Sequence, residues 1–342
     1  MLGPYRRSGA DREEFALLRK LIGSVAVVAA LGAAGSAALA QETEELTVGA
    51  IYLDAQGFYA GVRKGVQVGG TELGKNVQII ETNAGGDVGK EASFIDRLVS
   101  AGVQAIILSA VSPDGSVRAI KRANEAGIPI VCYNTCINEK DMNEYVYAYA
   151  VGDPFEFGYK IGQVAADDFV KAGKTEPKIG ILNCEFVDVC VQRRLGFEKA
   201  LGEKVPGFKI VSNQEATILD KAISTGEKII IANPDIDALW GESGGAALGA
   251  AKAIRNTNNV GKIAAYGSDM TTEIAGEIVA GDVMRGTVDV SGQALGKLAL
   301  QQAVKAIEKQ PKGEMIVPNP IDLYTTADQA KAWLEAHPDG LP

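Results

Sequence analysis

Residues 46–74 constrain the rest of the chain: LTVGAIYLDAQGFYAGVRKGVQVGGTELG passes from a short apolar, β-branched run, through a polar turn, into helical spacing. Leu46 to Leu53 has the composition of a strand covered on both faces, and the helical pattern begins at Phe58. Between them, Asp54-Ala55-Gln56-Gly57 sets an amide beside two adjacent aromatics, Phe58 and Tyr59. In an open α/β sheet, a turn of this kind sits at the carboxyl end of a parallel strand, where ligands bind. The unit recurs along the chain, so function is expected in its turns.

The recurrence falls into two series. In the first, strands are expected at Asn76 to Thr82, Gln104 to Val111, Ile128 to Tyr133 and Tyr145 to Val151. Helices separate the first three of these, one capped by Asp87 and ending at Gly102, the next opening at Pro113 and ending at Gly127; Asn134 to Asn143 reads as a polar loop. Gly152-Asp153-Pro154 interrupts, and a second series follows. Its strands are expected at Lys178 to Cys184, Phe208 to Asn213, Asp237 to Gly241 and Lys262 to Gly267, with helices between them. At 342 residues and 46% hydrophobic, the chain can bury two cores, so the fold class is α/β with two doubly wound, parallel-sheet, Rossmann-like lobes. Met284 to Val290, a helix from Ser291 to Lys309, Ile316 to Tyr324 and a terminal helix to Ala336 fit either lobe on pattern alone.

The amino terminus stands apart. Arg6, Arg7, Arg12, Arg19 and Lys20 precede the apolar run Leu21 to Leu39, which closes on Ala38-Leu39-Ala40, the pattern of a secretory signal cleaved after Ala40. A membrane anchor fits less well, because the run is rich in Gly and Ala. Removing residues 1–40 takes away five cations and three anions, so the formal charge goes from −9 to −11. So acidic an exported chain is unsuited to nucleic acid or to an anionic membrane. Four cysteines remain, Cys132, Cys136, Cys184 and Cys190; two local bridges are the simplest pairing, although spacing alone cannot choose among three connectivities. A zinc site would need a CxxC pair or a nearby histidine, and neither is present.

The order of elements, with Gly57-Phe58-Tyr59, Ile128-Pro129-Ile130, Arg193-Arg194-Leu195-Gly196-Phe197, Ala247-Leu248-Gly249-Ala250 and Gly267-Ser268-Asp269, resembles the type I periplasmic sugar-binding proteins, nearest their ribose-binding branch. The resemblance covers Leu46 to Tyr324. It implies a periplasmic protein whose lobes, joined by three hinge strands, close on a monosaccharide and deliver it to an ABC importer. It implies neither enzymatic activity nor a cofactor. The lobes are expected at 46–151 plus 289–321 and at 152–288 plus 322–342, after a signal peptide at 1–40. Expected partners are a sugar-like ligand and an ABC permease, with a chemoreceptor as a further candidate; a monomer is expected.

By resemblance, Gln56, Phe58 and Tyr59 match the first contact turn, where an amide meets hydroxyls and aromatics pack on the C–H face of the sugar. Asn134 and Thr135 fall where ribose binders carry an aspartate and an arginine. Arg193 matches a family arginine, whose planar fork can hold two hydroxyls. Ser243 stands near a family asparagine with Glu242 beside it, and Asp269 matches an aspartate of the second lobe. The hinge glutamine falls on Val290, so its role passes to Asp289. One arginine then faces three carboxylates, Glu242, Asp269 and Asp289, which suggests a ligand rich in donors: a sugar or polyol, or an amino sugar as a sub-case.

A serine hydrolase is the rival from another class. Gly241-Glu242-Ser243-Gly244-Gly245 fits GxSxG between a strand and a helix, with Asp269 and His337 following in α/β-hydrolase order. Against it, His337 is the only histidine and lies beside Pro338 near the carboxyl terminus, and no HGGG-type oxyanion motif is present. Gly85 to Glu91 imitates a phosphate loop, but Ala84 and Glu91 occupy positions where that loop needs Gly and Ser or Thr.

Overall fold

The computed structural model describes residues 45–342; the signal-peptide reading lies outside them. The first series forms β1 (Leu46–Tyr52), α1 (Phe58–Glu72), β2 (Val77–Asn83), α2 (Val88–Ser100), β3 (Ala105–Leu108), α3 (Val117–Glu125), β4 (Ile130–Tyr133), α4 (Glu139–Tyr145) and β5 (Ala148–Val151). The second forms α5 (Pro154–Lys171), β6 (Lys178–Asn183), α6 (Asp188–Lys204), β7 (Lys209–Glu215), α7 (Leu219–Ala232), β8 (Ala238–Gly241), α8 (Gly244–Asn256), β9 (Ala264–Ser268), α9 (Thr272–Ala280) and β10 (Met284–Asp289). The chain ends with α10 (Gly292–Ile307), β11 (Ile316–Pro318), β12 (Asp322–Tyr324) and α11 (Ala327–Ala336).

Two six-stranded sheets result, ordered β11-β5-β4-β3-β1-β2 and β12-β10-β9-β8-β6-β7. They repeat one plan. Each reverses strand order beside its first strand, between β1 and β3 and between β6 and β8, and in such sheets the crevice at that reversal is the ligand position. Among the described residues all strand pairings are parallel except β10 with β12. The central strands are buried along their whole length, as the apolar runs require when helices cover both faces.

The chain passes from one sheet to the other between β5 and α5, between β10 and α10, and between β11 and β12. α10 returns to the first sheet, packing on α1 so closely that a Cβ on Gly296 would stand 2.1 Å from the Val62 carbonyl oxygen. Asp289 is the last residue of β10 and pairs with Asp322 across the antiparallel ladder.

One local expectation needs correction, and one open reading is resolved. The segment read as a polar loop contains α4, which Asn138 caps by accepting a hydrogen bond from the Asp141 N–H. It escapes the periodic pattern because its only buried side chains are Met142 and Tyr145. The stretch from Ile316 to Tyr324, which fits either lobe on pattern alone, is two short strands in different sheets, broken at Asn319-Pro320, where proline removes a ladder donor. No helix among the described residues is long and apolar enough to cross a membrane.

Candidate functional site

The turns after β1, β3 and β4 supply one half of the candidate site. Gln56 is exposed on its turn, beside Gly57 with φ 53°. Phe58 and Tyr59 meet edge to face with centroids 5.1 Å apart. Asn134, at the end of β4, holds φ 57°, a left-handed backbone that Asn adopts more readily than other non-glycine residues. Its Nδ2 donates to the Tyr59 hydroxyl at 3.0 Å. From there a chain of hydroxyls runs inward: Tyr59 to Ser109 at 3.3 Å, Ser109 to Thr135 at 2.6 Å, and Thr135 to the Ala110 carbonyl at 2.7 Å. The carbonyl can only accept, so each hydroxyl donates inward and accepts from its outer neighbour. Burial pushes the Tyr59 phenol up to about 12, keeping it a neutral donor. Thr135 therefore secures the network from inside, its hydroxyl hydrogen spent on Ala110, while Asn134 keeps its Oδ1 and a second N–H.

The second half comes from α6 and from the turns after β6, β8 and β9. Arg193 is buried on α6, with its guanidinium carbon 4.0 Å from the Phe157 ring centroid and Nη1 donating to the Glu242 carbonyl at 2.8 Å. It gets this deep because Gly158 offers no side chain; a Cβ there would stand 1.7 Å from the Arg193 carbonyl oxygen. The neighbouring Arg194 pairs with Glu185 and Glu198 at the surface. Glu242 is fully buried, with Oε2 accepting from the Cys184 N–H at 3.0 Å. Asp269, at φ 63°, accepts from the Gly244 N–H through Oδ2 at 2.8 Å. Asp289 is 1% exposed and accepts from the Met270 N–H at 3.0 Å.

Five polar atoms of the second lobe are buried without a protein partner, Arg193 Nε, Trp240 Nε1, Glu242 Oε1, Ser243 Oγ and Ser268 Oγ, and three of them, on Arg193, Glu242 and Ser243, belong to expected contact residues. Such atoms are costly to leave unpaired, and those on Arg193, Glu242 and Ser243 comprise a donor, an acceptor and a hydroxyl that can serve as either. Thr135 and Tyr149 of the first half line one cavity with Val187 and Asp188 of the second, so the two halves face each other, and Arg193 and Asp269 act electrostatically on Tyr59. Desolvation raises all three carboxyls, Glu242 to about 8 and Asp269 and Asp289 in the same direction. After burial, repulsion from Asp269 pushes Asp289 further the same way. The acids therefore carry less negative charge than their number suggests.

Two disulfides frame the site, Cys132–Cys136 around Asn134 and Cys184–Cys190 at the start of α6. Each stays within its own half, so neither bridge staples the lobes. Cys184, Cys190 and Glu242 cluster closely enough for a metal ion, but the sulfurs are bonded to each other and offer no thiolate. The hydrolase constellation does not assemble. His337 stacks on Trp333 at 4.5 Å with Nδ1 against the Trp333 carbonyl, and Asp269 is bonded to a backbone amide rather than to an imidazole.

Ser109, Tyr149 and Phe157 belong to the site's framework without having been picked out from sequence. Tyr149 donates to the Asn134 carbonyl at 2.6 Å and so fixes the turn that carries Asn134. Its only sequence signal is a tyrosine on the strand that pairs with β4.

Comparison with known proteins settles the family. The model of the periplasmic binding protein domain matches residues 50–311. The chain is also 57% identical over 309 residues to the ABC transporter periplasmic-binding protein YphF of Escherichia coli (strain K12), covering 90% of this chain and 94% of that protein. The chain belongs to the periplasmic binding protein family. Within the family, the ribose import binding protein RbsB of Escherichia coli (strain K12) is 22% identical over 317 residues, 91% of this chain and 99% of that one. Among solved structures, a periplasmic solute-binding protein of an ABC transporter from Actinobacillus succinogenes 130z with bound D-allose superposes with TM-score 0.76 at 22% identity, covering 84% of this chain and 99% of that one. That likeness extends the two-sheet plan to the periplasmic binding proteins as a fold.

Proposed function

We propose that the protein is the solute-binding component of an ABC importer and captures a neutral polyhydroxy ligand, a monosaccharide or polyol, between its lobes without altering it. The observation that supports this is the set of unpartnered buried atoms on expected contact residues, Arg193 Nε, Glu242 Oε1 and Ser243 Oγ, in the lobe whose Arg193 and Asp269 act electrostatically on Tyr59 of the other. A vicinal diol can accept from the guanidinium and donate to the carboxyl and hydroxyl, which suits these three atoms. The D-allose held by the Actinobacillus protein supports a guest of that size. An ammonium on the sugar would gain only from ionised acids, and burial raises the pKa of all three, so the amino-sugar sub-case is the weaker one.

The lobes we infer are 46–151 with 290–321 and 152–289 with 322–342, placing Asp289 with the second sheet. Each supplies half of the contacts, Gln56, Phe58, Tyr59 and Asn134 from one and Arg193, Glu242, Ser243 and Asp269 from the other. A ligand gripped by both favours the closed form and shifts the population toward it. Export after cleavage at Ala40, action as a monomer, and docking of the closed form on a permease, with a chemoreceptor as a second reader, complete the proposal.

A thermal-shift screen of neutral sugars, polyols, amino sugars and nucleosides, followed by calorimetry and mass analysis of each hit, tests it. The expected result is a neutral sugar or polyol that raises the melting temperature with concentration and is recovered unchanged. Turnover of the hit, or response to nucleosides alone, would overturn the proposal.

A further inference from the structure

A cavity of about 690 Å³ lies beside the Arg193 cluster rather than upon it. Ile137, Met142, Tyr149 and Val151 line one wall, and Val187 and Val189 face them from the second lobe. All but Tyr149 are at least nine-tenths buried, so they line a hollow rather than open surface. Thr135 also lines the cavity, and Tyr149 reaches from it to the Asn134 carbonyl, so the chamber and the sugar-contact turn share a wall.

The chemistry of this chamber differs from that of the cluster. Its charged lining groups are Glu139, Asp153 and Asp188, with no lysine or arginine. Asp153 already caps α5 through the Phe155 and Glu156 amides, and Asn138 is engaged with Asp114 and Asp141. A phosphate or carboxylate on the ligand would therefore meet no cation. A second sugar ring would find acceptors at Glu139 and Asp188 on the chamber's exposed edge, but would press its remaining hydroxyls on buried aliphatic walls that offer them no partner. An apolar group seated on those buried walls, away from the two exposed carboxylates, gives up no hydrogen bond and leaves water behind. The volume falls in the range of drug-sized pockets, leaving room for such a group outside the Arg193 cluster.

We propose that the cleft takes a neutral sugar bearing an apolar substituent, an alkyl or aryl glycoside, with the sugar ring on the Arg193 cluster and the aglycone in the adjoining chamber. This rests on the sugar-binding proposal above and narrows its ligand class.

The test is calorimetry of the exported chain with a panel of free monosaccharides and the matching phenyl glycosides in both anomeric forms. For at least one sugar, a phenyl glycoside should bind about tenfold or more tighter than the parent sugar, the gain expected from burying an aromatic ring. Met142→Trp, which fills the chamber, should remove that gain and leave the parent sugar's affinity within about twofold. Ile316→Glu, at an exposed position on the chamber's rim, should weaken the glycoside about threefold or more without a folding cost. Parent sugars that bind while every phenyl glycoside binds no better would overturn the glycoside proposal and leave the sugar-binding one intact. A panel in which neither sugars nor glycosides bind would overturn both.

Discussion

Arg193 lies over the face of Phe157, its guanidinium carbon 4.0 Å from the ring centroid, and the same guanidinium donates to the Glu242 carbonyl at 2.8 Å. Ring and carbonyl hold the fork from two sides while Nε is left without a protein partner. The residue is thus set in place before any ligand arrives, so little of its rotamer freedom remains to be lost on binding. Arg193→Ala is expected to weaken ligand binding by about 100-fold or more, since charge-assisted bonds contribute roughly 1.5–3 kcal/mol each. Arg193→Lys keeps the charge but loses the planar fork, and about tenfold is expected. Calorimetry with the ligand found by the screen measures both; an affinity unchanged in Arg193→Ala would remove Arg193 from the site.

Gly158 controls that placement from the neighbouring helix. A methyl group there would stand 1.7 Å from the Arg193 carbonyl oxygen, so α5 and α6 must separate to admit it. Gly158→Ala is expected to destabilise the fold by about 1–3 kcal/mol, the usual range for overpacking. Affinity should fall as well, because Arg193 moves with its helix. Denaturant unfolding and calorimetry on one sample separate the two effects. Stability and affinity both at wild-type values would mean that the helices pack less closely than described.

The Cys132–Cys136 bridge closes a loop around Asn134, whose left-handed φ of 57° is otherwise unfavourable. Replacing both cysteines by serine is expected to cost about 2 kcal/mol of stability on the chain-entropy estimate for so short a loop. It should also weaken binding, because the Asn134 amide is then no longer held toward the cleft. The Cys184–Cys190 pair holds the start of α6 and the amide that donates to Glu242, so its double replacement is expected to act on the opposite half of the site. Unchanged affinity in either double variant would leave that bridge a purely structural role.

How far the sequence could be read depended on whether the signal was local. β1, β6 and the helices after them were legible because an apolar run followed by helical spacing is a short-range pattern, and Arg193 was legible because it lies within such a helix. α4 was not, since a seven-residue helix with two buried side chains makes no period. Tyr149 is brought to Asn134 by the pairing of β5 with β4, where it stands opposite Cys132. Phe157 reaches Arg193 only because α5 packs on α6. Both relationships are products of tertiary packing and leave no mark on spacing along the chain. The same holds for Thr135: its position beside Asn134 suggested a contact, but whether its hydroxyl turned inward depended on Ser109 and Ala110, more than twenty residues away.

Glu242 makes the stability of the protein depend on pH in a definite direction. Desolvation pushes its carboxyl up to about 8, against an ordinary value of 4.5, so between these limits the folded protein holds a proton that the unfolded chain has released. Stability is then fully present below about 4.5, falls as the pH rises, and has lost the contribution of Glu242 above about 8. Asp269 and Asp289 are shifted the same way by burial and add to the slope. Glu242→Gln keeps the size and an acceptor for the Cys184 amide but removes the titration. Guanidinium unfolding at pH 5, 6.5 and 8 should therefore show the wild type weakening toward pH 8 and the variant weakening less. A wild type that is as stable at pH 8 as at pH 5 would mean that Glu242 is ionised in its buried position. In that case the surplus of carboxylate around Arg193 would be real, and a cationic guest would become the better match.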